Sequence, residues 1–284
     1  MTPPPDAADS PETPRTLAEV IQVLHELWPV AGAEDWDAPG LVTGRLDQPV
    51  RSIRFAVDAV AATVAEAVGA NIDVLITHHP LLMRGVTSVA EDRYKGALVA
   101  DLIRNDVALL AAHTNADVVP TGTSAMMARL LGVTNVVPLT QSLSPDSGLG
   151  RVGDLDTQLT LGEFARRVAD VLPATAQGVR VSGDYAQPVS RVALCAGAGD
   201  SLLAHPLVTA ADVYVTSDLR HHSAQESREQ SLRLGGPALV DVSHWAAEWL
   251  WLEHAAHEVR ALLPGVDVTV SDIRTDPWDF VVVQ

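Results

Sequence analysis

Short apolar runs alternate with segments of helical periodicity along this chain, and this alternation restricts the fold more than any other feature. In the first half, apolar runs at residues 53–58, 72–77 and 107–112 predict buried strands. Between them, residues 60–70 and 94–104 have the length and spacing of helices. Strands that alternate with helices are typical of a mostly parallel sheet with helices on its faces. We therefore expect an α/β fold.

The second half of the chain continues the alternation without an obvious sequence repeat. A Ser/Pro/Gly-rich stretch, residues 142–150, predicts a domain junction. We expect two α/β lobes with mostly parallel or mixed sheets flanked by helices, residues 15–141 and residues 150–284. The last predicted strands, residues 266–270 and 280–283, either close the second lobe or pack back on the first. The other predicted elements are helices after Thr16 and at residues 122–131, 161–172, 221–232 and 244–263, and strands at residues 179–182, 189–195, 213–216 and 238–242.

The composition argues against several classes of protein. A formal net charge of -17 disfavours broad nucleic-acid binding, because such a surface repels phosphates. A single cysteine, Cys195, excludes an internal disulfide and a zinc site rich in thiolates. No apolar run reaches the length of a membrane span. Residues 1–14 are Pro-rich and acidic and do not resemble a secretory signal, so we expect a disordered tail on a cytoplasmic protein.

Two histidine motifs follow predicted strands in the first half. His78 and His79 are adjacent at a strand end, where they can converge on neighbouring metal ions or be solvated imidazoles of a polar loop. In the next motif, Asp117 is a candidate carboxylate ligand, and His113 is either a ligand or a group that orients one. The alternative is a turn in which Asn115 and Asp117 cap the following helix.

Two further motifs follow predicted strands in the second half. We interpret Asp218 as a cap of the next helix, and His221 and His222 as groups that contact substrate or orient a ligand. His244 and Glu248 are four residues apart, so they lie on one face of a helix and can reach the same metal centre. Alternatively, Glu248 is an ordinary acidic residue favoured by the helix dipole.

The shared position of the four motifs is stronger evidence than any motif alone. In α/β sheets, ligands bind beyond the carboxyl ends of strands, and all four motifs are predicted there. The predicted metal ligands are His78, His79, Asp117, His244 and Glu248. Such ligands suit two divalent ions of zinc, manganese, iron, cobalt or nickel. Five ligands for two ions leave coordination positions open, which is typical of a reactive site rather than a structural one.

Together the motifs resemble a known family, the dinuclear-metal-centre proteins called GTP cyclohydrolase 1 type 2 homologs or Nif-three-like proteins. The resemblance covers nearly the whole chain after the N-terminal tail. Its segments are Glu34-Asp35-Trp36-Asp37 through Gly40-Leu41, Thr77-His78-His79-Pro80, His113-Thr114-Asn115-Ala116-Asp117, Gly150-Arg151-Val152-Gly153, Cys195-Ala196-Gly197-Ala198-Gly199, Thr216-Ser217-Asp218, and His244 with Glu248. The resemblance implies two α/β lobes with the metal site between them, often assembled into a ring-shaped homohexamer.

The resemblance also implies a division of the ligands between two ions. His79 and Asp117 would hold one ion. His78 and His244 would hold the second, and Glu248 would bridge the pair.

Two positions depart from the family pattern. The family often has glycine where this chain has Ser217 and Ser243. Glycine permits positive φ and close backbone approach, so serine predicts a slightly different backbone or an added hydroxyl near the metals. Because the predicted ligands are intact, these departures bear on substrate choice rather than on ion binding.

Two functions are compatible with such a site. In a metal-dependent hydrolase, two ions activate a water for attack on a small, nucleotide-like substrate, and His113, His221 or His222 transfers protons. The family name suggests opening of a GTP-like purine ring, but phosphoester and amide hydrolysis use the same chemistry, and the sequence has no Walker-type phosphate loop. In the second function, the protein is a non-catalytic metal carrier or a regulatory metal-binding protein. A third interpretation, a globular domain with incidental histidines, requires four independent coincidences.

Overall fold

The computed structural model describes residues 14–283 of the 284-residue chain. The predicted tail therefore lies outside the described residues, apart from Pro14. Within the described range the chain forms two large mixed sheets flanked by helices, which confirms the predicted α/β fold class. No helix in this range has both the length and the apolar character that crossing a membrane requires.

The helices and strands of residues 14–283 mostly follow the predicted alternation. The strands are β1 (Arg15–Thr16), β2 (Gly40–Thr43), β3 (Pro49–Val50), β4 (Ser52–Ala56), β5 (Val74–Thr77), β6 (Ala108–Ala111), β7 (Val133–Pro138), β8 (Arg151–Thr160), β9 (Arg180–Ser182), β10 (Pro188–Ala198), β11 (Val213–Ser217), β12 (Ala238–Val242) and β13 (Asp267–Val270). The helices are α1 (Leu17–Leu27), α2 (Ala61–Gly69), α3 (Tyr94–Arg104), α4 (Thr114–Asp117), α5 (Thr123–Leu130), α6 (Leu161–Val171), α7 (Pro206–Thr209), α8 (His221–Leu234) and α9 (His244–Leu262). Short 3₁₀ turns lie at Val30–Gly32 and Asp200–Leu202.

The first large sheet has the strand order β13-β4-β5-β6-β2, and in it only β2 runs antiparallel to its neighbour. Ala56, Thr77 and Ala111 are paired side by side at the carboxyl ends of β4, β5 and β6. The residues that follow these strands, including His78 and His79, therefore emerge at one edge of the sheet.

The second large sheet has the strand order β7-β8-β10-β11-β12-β9. Its strands β10, β11 and β12 are parallel, and the other three are antiparallel to their neighbours. Ala198, Ser217 and Val242 are paired at the carboxyl ends of the parallel strands. Asp218 and the start of α9 follow directly, so this sheet also presents candidate site residues at its carboxyl edge.

Helix α9 packs into the cores of both sheets. Trp251 belongs to the core beside the first sheet, where its ring lies edge-on to Trp28 with centroids 5.2 Å apart. Ala247, one turn earlier on the same helix, belongs to the core of the second sheet. The first turns of α9, which carry His244 and Glu248, are therefore held where residues of both sheets can reach them.

Within residues 14–283 the chain crosses between the two large sheets twice. The Ser/Pro/Gly-rich stretch at residues 142–150 joins β7 to β8 within the second sheet, so the first change of sheet lies before Val133. After α9 the chain returns, and β13 pairs in parallel with β4 at the edge of the first sheet. Residues 150–284 thus contribute one strand to the sheet that residues 15–141 otherwise form.

Strand prediction from apolar runs is wrong in two ways. It missed β2 and β7, which are edge strands, and β8, which lies between β7 and β10, because none of the three is a continuous apolar run. In the opposite error, residues 280–283 are an apolar run but not a strand. They are 60–86% exposed and pair with no strand of the described chain, so their backbone lacks the partner that a strand requires.

Candidate metal centre

The structure brings all five residues predicted as ligands together where the carboxyl edges of the two sheets meet. His78 and His79 directly follow β5, and Asp117 ends the short helix α4 after β6. His244 and Glu248 lie in the first two turns of α9. The cluster therefore joins side chains from distant parts of the chain, and it lies between the two sheets.

Glu248 is buried at the centre of this cluster. Its Oε1 atom lies 2.8 Å from His244 Nε2 and 3.5 Å from His78 Nε2. Its Oε2 atom lies 2.9 Å from His79 Nε2. A carboxylate whose two oxygens face different imidazoles has the arrangement required to bridge two cations.

The ring of His78 has its proton on the nitrogen that points away from the cluster. His78 Nδ1 lies 2.8 Å from the Ala112 carbonyl oxygen, which can only accept, so Nδ1 donates and Nε2 presents a lone pair. That Nε2 atom is buried and has no hydrogen-bond partner in the described part of the chain. Burying a polar atom without a partner costs free energy, so a cation at this position would stabilise the site.

Carboxylates orient His79 and His244 in the same way. Asp58 Oδ1 accepts a hydrogen bond from His79 Nδ1 at 2.7 Å. Asp218 Oδ2 accepts one from His244 Nδ1, also at 2.7 Å. The two Nε2 atoms then face each other 3.2 Å apart beside Glu248. Two lone pairs at this distance repel unless a proton or a cation lies between them, and carboxylate–histidine pairs of this kind are typical of metal ligands.

Asp117 lies farther from the other predicted ligands. Its Oδ1 atom is 3.7 Å from His78 Nε2 and accepts a hydrogen bond from the Thr123 hydroxyl. By distance, His78 thus pairs with Asp117, and His79 pairs with His244. This is a different division of the four residues from the one that the family resemblance implied.

The charges of the cluster are strongly coupled. Burial raises the pKa of Glu248, but the three neighbouring histidines outweigh it and hold this pKa well below its usual range. Burial lowers the pKa of His79, but Glu248 and Asp58 outweigh it and raise this pKa to about 10. The pKa of His244 is raised in the same way, against burial, by Glu248 and Asp218. The buried carboxylate therefore requires nearby positive charge, which protons or metal ions can supply.

His113 lies beside the adjacent histidines. Its ring centroid is 5.1 Å from that of His78 and 5.5 Å from that of His79, and one ring nitrogen of each lies within 4.8 Å of the others. Asp37 Oδ1 accepts a hydrogen bond from His113 Nδ1 at 2.8 Å, and Asp37 Oδ2 accepts one from the Thr114 backbone at 3.0 Å. Burial raises the pKa of Asp37, but the hydrogen bonds of His113 and Thr114 outweigh it and lower this pKa to about 2.

The structure does not bring His221 and His222 to the cluster. Both are exposed at the start of α8, because this polar helix buries none of its residues in the chain. His221 lines a separate depression together with Arg180 and Asp241. Neither histidine lines the cavity beside the predicted ligands.

The sequence did not predict that Asp37, Asp58 and Asp218 orient the histidines. Asp218 does not cap α8, whose N-cap is Arg220; it adopts a φ of +59° and orients His244. Asp58 is 21 residues from the histidine that it contacts, and Asp37 is 76 residues from its own, so no local spacing reveals either pair. The available signal was position, because Asp58 and Asp218 both follow parallel strands at a carboxyl edge.

A cavity of about 380 Å³ opens beside the cluster. All the predicted ligands except His78 line this cavity. His113 and the apolar side chains of Trp36 and Met83 line it as well. Trp36 is exposed and lies edge-on to His113, with ring centroids 5.8 Å apart.

Gly197 approaches the Glu248 carboxylate closely. It has a φ of +81°, and a Cβ there would lie 2.5 Å from Glu248 Oε1, so only glycine lets the backbone approach this carboxylate.

The donor atoms that face the cluster are imidazole nitrogens and carboxylate oxygens. The single cysteine, Cys195, also lines the cavity, but burial, with Asp117 and Glu248, raises its pKa to about 12. The thiol is therefore protonated at neutral pH in the metal-free protein. A donor set of imidazoles and carboxylates fits a divalent transition-metal ion.

Ser217 and Ser243, where the resemblance implies glycine, have different surroundings. Ser243 is the N-cap of α9: its hydroxyl accepts from the Ala246 backbone N–H at 3.2 Å and donates to Asp276 at 2.5 Å. Ser217 is fully buried, and its hydroxyl has no hydrogen-bond partner among the residues described. Ser243 thus makes two contacts that glycine could not make, whereas the structure provides no contact that explains Ser217.

Comparisons with known proteins agree with the resemblance of the motifs. The family model described as Duf34/NIF3 (NGG1p interacting factor 3) matches residues 15–277. A Streptomyces coelicolor protein described as a GTP cyclohydrolase 1 type 2 homolog is 47% identical over 269 residues, which cover 92% of this chain and 93% of the relative. A Mycobacterium tuberculosis protein with the same description is 34% identical, and the match covers 93% of this chain and 96% of the relative. Among solved structures, a hypothetical protein of Staphylococcus aureus superposes with a TM-score of 0.85 at 27% identity, covering 94% of this chain and all 100% of that one.

Proposed function

Because this chain belongs to the Duf34/NIF3 family, we propose that its histidine–carboxylate cluster binds two divalent metal ions. The proposed ligands are His78, His79, Asp117, His244 and Glu248. The proposal is carried by the 3.2 Å separation of the His79 and His244 Nε2 atoms beside the Glu248 carboxylate. Asp58 and Asp218 accept hydrogen bonds from the Nδ1 atoms of His79 and His244. The Nε2 atoms of the two rings are therefore directed towards each other, and a cation between them would bind to both.

The donor set restricts the metal. Mixed imidazole and carboxylate donors suit zinc, manganese, iron, cobalt and nickel. Magnesium and calcium prefer oxygen donors alone, so three or more histidines argue against them.

We propose that the metal-loaded protein is a hydrolase of small molecules. Two divalent ions would supply an activated water near neutral pH and neutralise negative charge that develops on the substrate. Asp37 holds the proton on His113 Nδ1, so Nε2 of His113 can accept a proton and return it during turnover. Trp36 and Met83 give the cavity an apolar surface on which a flat ring can stack.

The first substrates to test are nucleotide-like. The Streptomyces coelicolor and Mycobacterium tuberculosis relatives are described as GTP cyclohydrolase 1 type 2 homologs. Purine ring opening, phosphoester hydrolysis and amide hydrolysis all use water activated in this way. Because the chain carries a formal net charge of -17, an anionic substrate would be held at the metal-loaded cluster rather than elsewhere on the surface.

We also propose that the protein assembles into a homo-oligomer, with the homohexamer expected from the resemblance. Several apolar side chains are exposed in the single chain, which supports burial against another copy. They include residues 280–283 at the C-terminus and Leu232 and Leu234 at the end of α8.

The hydrolase proposal is tested by replacing the buried carboxylate. Glu248→Gln keeps the size of the side chain but removes the charge that holds both ions. Turnover of nucleotides and small phosphoesters by the metal-loaded protein should fall to background, while circular dichroism shows a folded protein. Glu253→Gln is the matched control, because Glu253 lies on the same helix but is exposed; it should retain wild-type turnover.

The alternative is a metal carrier, and the same experiment separates the two functions. A carrier would bind ions and exchange them readily, with no turnover of any compound by the wild-type protein. Glu248→Gln would then weaken metal binding without any activity to lose.

A further inference from the structure

A short segment after β13 contacts both halves of the proposed metal centre. This segment, residues 271–276, is called the C-terminal strap below. It begins beside the first sheet, where the Ser271 backbone N–H donates to the Phe55 carbonyl at 2.8 Å. The Ser271 carbonyl accepts a hydrogen bond from Trp249 Nε1 of α9 at 3.2 Å. The strap is thus anchored between β4 and α9 before it reaches the site.

Thr275 of the strap holds the carboxylate behind His79. The Thr275 hydroxyl donates a hydrogen bond to Asp58 Oδ2, across 217 positions of sequence. The other oxygen, Asp58 Oδ1, accepts from His79 Nδ1 at 2.7 Å. Both carboxylate oxygens are therefore engaged, so Thr275 fixes the rotation of the group that orients His79.

Asp276 of the strap holds the start of the helix that carries the other ligands. Its Oδ1 atom accepts a hydrogen bond from the Ser243 hydroxyl at 2.5 Å, and Asp276 is only 9% exposed. Ser243 is the N-cap of α9 and directly precedes His244. A cap fixed on both sides, by Asp276 and by the Ala246 N–H, leaves little freedom in the position of the first turn.

We propose that the C-terminal strap sets the metal affinity of the site, with Thr275 and Asp276 as positioning residues for His79 and His244. The inference rests on the proposed metal binding. Its physical basis is that His79 follows β5 of the first sheet, whereas His244 begins α9 after β12 of the second sheet. The 3.2 Å separation of their Nε2 atoms therefore depends on how the end of β5 and the start of α9 are held together. The strap is bonded to the carboxylate behind one ligand and to the cap beside the other. Groups that orient metal ligands typically contribute about 10–100-fold to metal affinity.

Ser243 makes this arrangement specific to chains with a hydroxyl at this position. Glycine, which the family often has there, could not donate to Asp276. Ser243→Gly removes the hydrogen bond to Asp276, and Asp276→Asn weakens it, because a neutral amide oxygen replaces the carboxylate. Both changes should therefore weaken metal binding, and the two combined should cost little more than Ser243→Gly alone.

The test is a metal titration of the full chain and its strap variants. Thr275→Val and Asp276→Asn are compared with wild type for Zn²⁺ affinity by competition with a chelating dye, and for the visible absorption spectrum of the Co²⁺-loaded protein. Thr275→Val should bind Zn²⁺ about 10–100-fold more weakly, and Asp276→Asn should weaken binding by a smaller factor. Both variants should give a changed Co²⁺ spectrum. Thr275→Ser, which keeps the hydroxyl, should restore both properties. Asp272→Asn is the charge-matched control, since Asp272 lies in the strap but is exposed.

Each outcome decides a separate question. If the wild-type protein binds no Zn²⁺ or Co²⁺, the proposed function fails. If wild type binds but Thr275→Val and Asp276→Asn bind equally well with an unchanged Co²⁺ spectrum, the strap proposal alone is overturned. The proposal is also overturned if Thr275→Ser does not recover the wild-type spectrum. Urea unfolding of the metal-free variants shows whether a loss of metal affinity comes from a loss of stability. If Asp276→Asn does not fold, the comparison of Thr275→Val with Thr275→Ser decides the result.

Discussion

At the scale of single residues, each of His78, His79 and His244 has a fixed partner for its Nδ1 atom. The Ala112 carbonyl, Asp58 and Asp218 each engage a histidine Nδ1 atom, which turns the Nε2 atoms towards Glu248. Because the pKa of His79 is raised to about 10 and that of His244 is raised as well, protons supply the positive charge beside Glu248 in the metal-free protein. When a cation replaces these protons, the Nε2 atoms would become its ligands.

The close approach of Gly197 to Glu248 can be tested by adding a single methyl group. Gly197→Ala places a Cβ 2.5 Å from Glu248 Oε1 at a φ of +81°, so metal binding should be lost. Gly178 also has a positive φ of +61°, but an added Cβ there meets nothing within 4 Å. Both variants should lose about 1–2 kcal/mol of stability from backbone strain, measured by urea unfolding. Only Gly197→Ala should fail to bind Zn²⁺; equal Zn²⁺ affinity in both variants would show that the close approach is unimportant.

At the scale of helices and strands, the parallel strands position the site and are also the part that sequence predicts best. The apolar runs identify β4, β5 and β6, and their aligned ends explain why motifs far apart in sequence meet. The contact of Asp37 with His113 depends instead on how a loop packs against a strand end, which no local pattern encodes. The run at residues 280–283 was misleading for a related reason: apolar residues favour a strand only where a neighbouring strand is available.

Helix α9 is fixed in the core beside the first sheet by Trp251. Trp251 is buried, packs edge-on against Trp28 and Phe55, and lies 5.6 Å from the His78 ring. Trp251→Ala should destabilise the protein by about 3–5 kcal/mol, because it leaves a cavity in the core beside the first sheet. The exposed Trp278 provides the control, and Trp278→Ala should change stability by less than about 0.5 kcal/mol. Urea unfolding followed by circular dichroism measures both; similar midpoints would contradict the central position of α9.

At the scale of the whole molecule, two sheets and one shared helix create a site that neither sheet could form alone. The first sheet supplies His78, His79 and Asp117, and the helix between the sheets supplies His244 and Glu248. The chain returns to the first sheet through β13, and the strap then runs past the junction. Metal binding should therefore stabilise the association of the two sheets as well as the cluster itself.

The proposed assembly is tested by molar mass. Light scattering coupled to gel filtration should give about six times the 30.1 kDa mass of the chain if the homohexamer forms. The exposed apolar residues 280–283 are then expected to become protected from solvent, which hydrogen exchange can follow. A mass near that of a single chain at micromolar concentration would contradict the assembly but leave the metal proposal unaffected.

The most direct test of the central claim is the metal content of the protein itself. The chain is purified without a histidine tag, supplemented with zinc, manganese, iron, cobalt or nickel in separate preparations, and freed of unbound ions before elemental analysis. We expect about two ions per wild-type chain for at least one of these metals, and a clear loss in Glu248→Gln. Less than about one-tenth of an ion per chain after supplementation with every metal would contradict it.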